Sequence, residues 1–173
     1  MSTETKKKEK EHSVEERLQA LYQLQTYLSD IDRIRTLRGE LPNEVKDCED
    51  EIGRYQTRID KHQEEINRLT ADIHKFNGII EECRMKLAQY EEQINNVRNN
   101  REFAFLEKER EFQKLDIQLN EQKVRKAADR IQEEKEALAK AQEEQEDFRH
   151  ILVAKKQELE EIVSCLLYTS DAA

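Results

Sequence analysis

The feature that most constrains this chain is a narrow apolar stripe of unusual length. From Val45 onward, alternating steps of three and four residues pick out Val45, Cys48, Ile52, Tyr55, Ile59, His62, Ile66, Leu69, Ile73, Phe76, Ile80, Cys83, Leu87, Tyr90, Ile94 and Val97. Fifteen of these sixteen positions are apolar or weakly polar, and only His62 departs. The flanks are polar: Glu49, Gln56, Gln63, Thr70, Asn77, Arg84 and Glu91 on one side, Glu51, Arg58, Glu65, Asp72 and Lys86 on the other, with Ile79 the exception. A globular amphipathic helix carries a broader apolar face. A seam this narrow, held for almost eight heptads, is the pattern of a coiled coil, and it requires a second stripe to pack against.

The pattern breaks near residue 100. Continuing the heptad would place Arg101, Ala104 and Lys108 on the seam, whereas the apolar residues sit at Phe103 and Leu106. Such a two-residue slip turns the stripe by about 200° around a helix. The same stretch is rich in Asn, which tolerates turn and left-handed conformations. Together these features predict that the chain reverses there. Reflecting the seam through residue 100 gives Phe103, Leu106, Arg110, Gln113, Ile117, Asn120, Val124, Ala127, Ile131, Glu134, Leu138, Ala141, Gln145, Phe148, Leu152 and Lys155, of which ten are apolar. The match is good from Val124 to Leu152 and mixed nearer the turn. There Phe105, Phe112, Leu115 and Leu119 form a second stripe two positions out of phase. Either the seam changes register and rejoins through an irregularity between Leu119 and Val124, the reading favoured here, or the stripe is an exposed patch for a partner. A parallel dimer without reversal is the structural alternative.

Upstream, Ser13-Val14-Glu15-Glu16 fits a helix-start capping box. Apolar residues at Val14, Leu18, Leu21, Leu24, Leu28, Ile31, Ile34 and Leu37 make a broad stripe that stops before Gly39-Glu40-Leu41-Pro42, a combination that ends helices. The base of the third helix widens to Phe148, Ile151, Leu152, Val153, Leu159 and Ile162, a face on which that first helix can dock. The expected fold class is therefore all-α: a long antiparallel two-helix coiled-coil hairpin with an additional N-terminal helix packed at its base. Its boundaries are a disordered basic tail over 1–12, helices over 13–38, 42–97 and 102–163, a tip over 98–101, and a terminal segment 164–173 of different character.

Composition agrees, with 40% charged residues, three Gly, one Pro and no Trp. So much charge with so few turn formers marks either disorder or long solvated helices, and the periodicity selects helices. The net charge of −9 is spread along the chain, and the only basic cluster is Lys6, Lys7, Lys8 and Lys10. No apolar run approaches the ~20 residues of a membrane span. The N-terminus has no apolar stretch of a signal peptide, so the expected localisation is cytoplasmic. Cys48, Cys83 and Cys165 include no C-x-x-C pair, and Cys48 and Cys83 stand about 52 Å apart on a straight helix.

No chemistry is legible. Three scattered glycines exclude a phosphate loop, and His12, His62, His74 and His150 form no metal-ligand pair. His62 on the seam reads as a packed or snorkelling side chain, with pH sensing the minor alternative. Glu143-Glu144-Gln145-Glu146-Asp147 reads as a solvated face. A two-stranded coiled coil has no cavity to exclude water around paired carboxylates, so an enzyme is not expected. The candidate site is the tip, Arg98, Asn99, Asn100, Arg101, Glu102 and Phe103. Two readings stand level: Asn simply permits the turn while Val97 and Phe103 close the apolar end, or the exposed amides and guanidinium groups dock a partner.

The order of a short helix, Gly39-x-Leu41-Pro42, a long heptad helix and Val97-Arg98-Asn99-Asn100-Arg101-Glu102-Phe103 resembles the bacterial C4-type zinc-ribbon coiled-coil proteins, a family defined as a domain of unknown function. The likeness covers roughly Val14 to Val163. It implies a zinc ribbon following the hairpin, with the hairpin as an interaction arm. This sequence lacks the ribbon, so no metal ligand carries over. Its ending, Ser164-Cys165-Leu166-Leu167-Tyr168-Thr169-Ser170-Asp171-Ala172-Ala173, is similar to the translated adapter tails found on assembled reading frames, and the natural chain is expected to continue past Val163. The expected function is a non-enzymatic adaptor or scaffold that presents its tip to a protein partner. The alternative is a nucleic-acid- or transcription-associated protein acting through the missing ribbon, where alone zinc and nucleic acid are expected. No membrane partner is expected, and a homo-oligomer stays open.

Overall fold

The computed structural model describes the backbone of residues 2–171 and the side chains of residues 14–168. It is all-helical: α1 spans Ser2–Asn96 and α2 spans Asn100–Asp171, and the two pack against each other. The chain divides into two compact units, Gly53–Asp147 and the pair Met1–Ile52 with Phe148–Ala173.

Within Gly53–Asp147, contacts between the helices fall in reversed order. Gln145 Nε2 donates to Gln56 Oε1 at 3.0 Å. His62 Nδ1 meets Glu134 Oε2 at 2.5 Å. The Lys123 ammonium lies 5.4 Å from the centre of the Phe76 ring, and Cys83 Sγ donates to Asp116 Oδ2 at 3.5 Å. Residue numbers rise on one helix as they fall on the other, so the helices run in opposite directions here. Every seam position from Tyr55 to Val97 is buried or half-buried, with Ile66, Leu69, Ile80 and Cys83 deepest. On α2 the reflected positions from Leu106 to Gln145 are likewise buried or half-buried. Among the reflected positions in this unit only Phe103 departs, at 46% exposure.

One expectation near the turn is overturned. The seam does not change register to take in the second stripe. Phe105, Phe112, Leu115 and Leu119 are exposed, while Gln113 and Asn120 are buried and Arg110 is half-buried. The reason lies in the continuity of α2. A regular helix cannot turn its inward face by two residues between Leu119 and Val124 without breaking its hydrogen-bond ladder. The long match from Val124 onward therefore fixes the phase up to the turn.

In the unit of Met1–Ile52 and Phe148–Ala173, Leu41 and Cys48 are buried. Val45, Ile52, Phe148, Leu152, Leu159 and Ile162 are half-buried. Lys155 Nζ donates to Glu44 Oε2, and Lys156 Nζ lies 2.8 Å from Glu49 Oε1, so ion pairs link the two helices in this unit. The hydrogen bond to Glu44 holds the Lys155 ammonium above its ordinary pKa.

Three boundaries need correction. Among the described residues helix continues through Gly39 and Pro42, so the stretch expected as an additional N-terminal helix is part of α1. Proline removes one ladder hydrogen bond, but the Arg38 carbonyl that loses it belongs to an exposed residue, where water can serve. Asn43 Nδ2 also donates to the Gly39 carbonyl at 3.4 Å. Val14, Leu18, Leu21, Leu24 and Leu28 are accordingly exposed. Ser13 lies inside α1 instead of starting a helix, and helix extends over the segment 2–12 expected as a disordered tail, whose side chains lie outside the described residues. At the other end α2 runs past Val163 to Asp171.

Burial first, then the Asp116 carboxylate, pushes the Cys83 thiol pKa up. The folded chain therefore holds this proton more tightly than the unfolded chain. The stability gained is complete below the ordinary thiol range and is lost as pH rises through the raised value. In alkylation followed by mass spectrometry, exposed Cys165 should react first. Buried Cys83 and Cys48 should react roughly tenfold or more slowly until urea unfolds the chain.

Candidate functional site

The turn is shorter than the sequence suggests and is built differently. Only Val97, Arg98 and Asn99 are non-helical. On the incoming side, Asn96 Nδ2 donates to the Glu92 carbonyl at 3.3 Å, and the Val97 amide donates to the Ile94 carbonyl at 3.5 Å. These bonds close the last turn of α1 on its own carbonyls, which are otherwise left without helical partners.

Asn99 starts α2. Its Oδ1 accepts from the Arg101 amide at 2.9 Å, and its carbonyl accepts from the Phe103 amide at 3.0 Å. That is the geometry of an N-cap, in which the side chain satisfies one orphan amide and the carbonyl begins the ladder. Glu102 lies in the first turn, where a negative charge suits the positive end of the helix. No described residue has a left-handed φ. Asn therefore acts here as a cap, and its tolerance for left-handed backbone is not used.

The structure brings all six predicted site residues, Arg98, Asn99, Asn100, Arg101, Glu102 and Phe103, together at the turn, and all are exposed. Phe103 does not close the apolar end. Val97 is half-buried, and the next reflected residue, Leu106, is buried at 7% exposure. Beside the turn lies an open groove of ≈ 660 Å³, with Glu92, Gln93, Asn96 and Val97 on the α1 side and Arg98, Glu102, Phe105 and Leu106 completing it. The sequence reading did not assign Glu92, Gln93 and Asn96 to the site. Phe105 was visible only as part of the out-of-phase stripe. The available chemistry is guanidinium and amide donors, two carboxylates (Glu92 and Glu102) and two exposed phenyl rings.

Away from the turn, His62 has a specific partner. Glu134 from the facing helix is its contact, and Arg130 Nη2 approaches the second carboxylate oxygen of Glu134 at 3.4 Å. The Glu134 side chain is 13% exposed, so a charged group sits in the seam with two nitrogens to meet it. On the outer face Arg68 donates to Glu65 at 2.6 Å, and this hydrogen bond lowers the Glu65 pKa. Among the described residues no group of three or more His, Cys, Asp or Glu is placed to hold a metal ion, and no helix is long and apolar enough to cross a membrane. No protein-family profile, curated protein or solved structure matches this chain.

Removing the cap with Asn99→Ala should lower stability to urea by about 1 kcal/mol, while Asn99→Asp should keep most of it. Proline suits the first position of a helix, so Asn100→Pro should be nearly neutral, whereas Ile73→Pro should cost about 3 kcal/mol or more in the same urea titration.

Proposed function

We propose that this chain is a non-enzymatic adaptor, an antiparallel coiled-coil hairpin that presents its tip to a protein partner. The observation that supports this reading is the division of labour at the turn. Asn99 fixes the backbone, and Arg98, Asn100, Arg101, Glu102 and Phe103 remain exposed around it. Arginine and aromatic side chains are the types that anchor protein interfaces when a partner desolvates them. Phe103 and Phe105, at 46% and 61% exposure, supply apolar area next to the two guanidinium groups.

A protein partner fits better than a phosphate backbone. Two arginines give little affinity for nucleic acid at physiological salt, and the chain as a whole carries a net charge of −9. The nucleic-acid alternative would act through a zinc ribbon outside this sequence, and no described residue carries it. The extra N-terminal helix of the sequence reading forms no part of the proposal.

Photocrosslinking tests the tip. With p-benzoylphenylalanine at Phe103, the protein expressed in its own host should yield one discrete protein adduct, lost on Arg98→Glu with Arg101→Glu. The same probe at exposed Lys75 should yield none. Equal adducts at both positions, or an adduct indifferent to the arginines, would remove the tip from consideration.

A further inference from the structure

The part of α2 nearest the turn is packed with its less apolar face inward. Arg110, Gln113 and Asn120 lie in the seam, and Arg110 Nε, Gln113 Oε1 and Asn120 Oδ1 are buried without a hydrogen-bond partner. Meanwhile Phe105, Phe112, Leu115 and Leu119 are 48–61% exposed. Buried polar atoms without partners and a row of exposed phenyl and leucyl groups are both costly, and here they occupy the same two heptads.

The exposed stripe already matches the seam of α1. Reflection through residue 101 in place of 100 sets Phe105 level with Val97, Phe112 with Tyr90, Leu115 with Leu87 and Leu119 with Cys83. Each of these is an apolar or weakly polar residue facing a seam position. Moving between the two registers requires a slip of two residues, about 3 Å along the helix and about 200° around it. It also requires an irregularity between Leu119 and Val124, beyond which the original pairing is kept. We infer that the distal part of this hairpin has two seam registers: the observed one, with Gln113 level with Leu87, and an alternative with Leu115 level with Leu87.

The alternative carries its own penalties. Lys108 and Gln122 enter the seam opposite Ile94 and Ile80, and the ladder of α2 is interrupted. The exchange also reaches the turn. Bringing Phe105 level with Val97 draws Asn100 and Arg101 out of the helix and releases the Asn99 cap. The shape of the tip therefore depends on which stripe faces α1, and a molecule that binds one tip shape shifts the population of registers.

Intrachain disulfides distinguish the registers in a background of Cys48→Ala, Cys83→Ala and Cys165→Ser. At high dilution, Leu87→Cys with Gln113→Cys reports the observed register, and Leu87→Cys with Leu115→Cys reports the alternative. Both pairs should close within the monomer. Adding Arg110→Leu and Asn120→Leu, which suits the observed register, should reduce closure of the second pair about tenfold. Fluorine resonance of 4-fluorophenylalanine at Phe112 in the otherwise unaltered chain gives an independent reading. Two signals, one shielded from solvent, are expected. A single solvent-exposed fluorine signal overturns the inference. So does a Leu115 pair that stays open while the Gln113 pair closes, or one that closes only between molecules, which would assign the stripe to a second copy.

Discussion

The structure depends on the phase of a continuous helix. Once α2 is helical without interruption from Asn100 to Asp171, the direction of every side chain along it is tied to every other. The strong apolar match between Val124 and Leu152 then decides what happens well outside that interval. Gln113 and Asn120 are carried into the seam, and Phe112 and Leu115 are carried out of it. Local preference gives way to a geometric relation that no single residue sets.

Within that frame the polar residues of the seam fix which positions face each other. A purely apolar stripe can slide by a heptad at small cost. Gln56 with Gln145 and His62 with Glu134 cannot slide without separating hydrogen-bonded partners. The Arg130 contact adds to this, since moving Glu134 would leave its carboxylate short of two nitrogens in a shielded place. Such groups contribute less to stability than to a unique alignment, the role that occasional polar residues play in coiled-coil seams.

Much of this was legible in the residues. The stripe from Val45 to Val97 was read position by position, and all sixteen prove buried or half-buried. The reversal near residue 100 followed from the slip between Val97 and Phe103, whereas reflection set Glu134 level with Ile66 and His62 level with Leu138, one helical turn away from the observed pairing of His62 with Glu134. The errors share a cause. Gly39 and Pro42 were read as a stop, and the Asn run as a left-handed turn, because each was judged on local preference. A helix already committed on both sides tolerates one missing hydrogen bond. Asn99 offers a capping oxygen as readily as a tolerant backbone, and which of the two is used depends on where the next helix begins. The preference for a register change at Phe112 and Leu115 failed for the opposite reason: it weighed apolar burial and left out the cost of breaking a regular ladder.

The absence of left-handed backbone among the described residues, the turn included, has a consequence for variation. Many tight reversals enforce glycine at one position and so spend part of their sequence on geometry. Here the bend asks for an oxygen-bearing side chain at Asn99 and nothing unusual at Arg98 or Asn100. Their neighbours can be exchanged by mutation without disturbing the course of the chain. Substitution there changes the side chains that the turn exposes while keeping the same path through the bend.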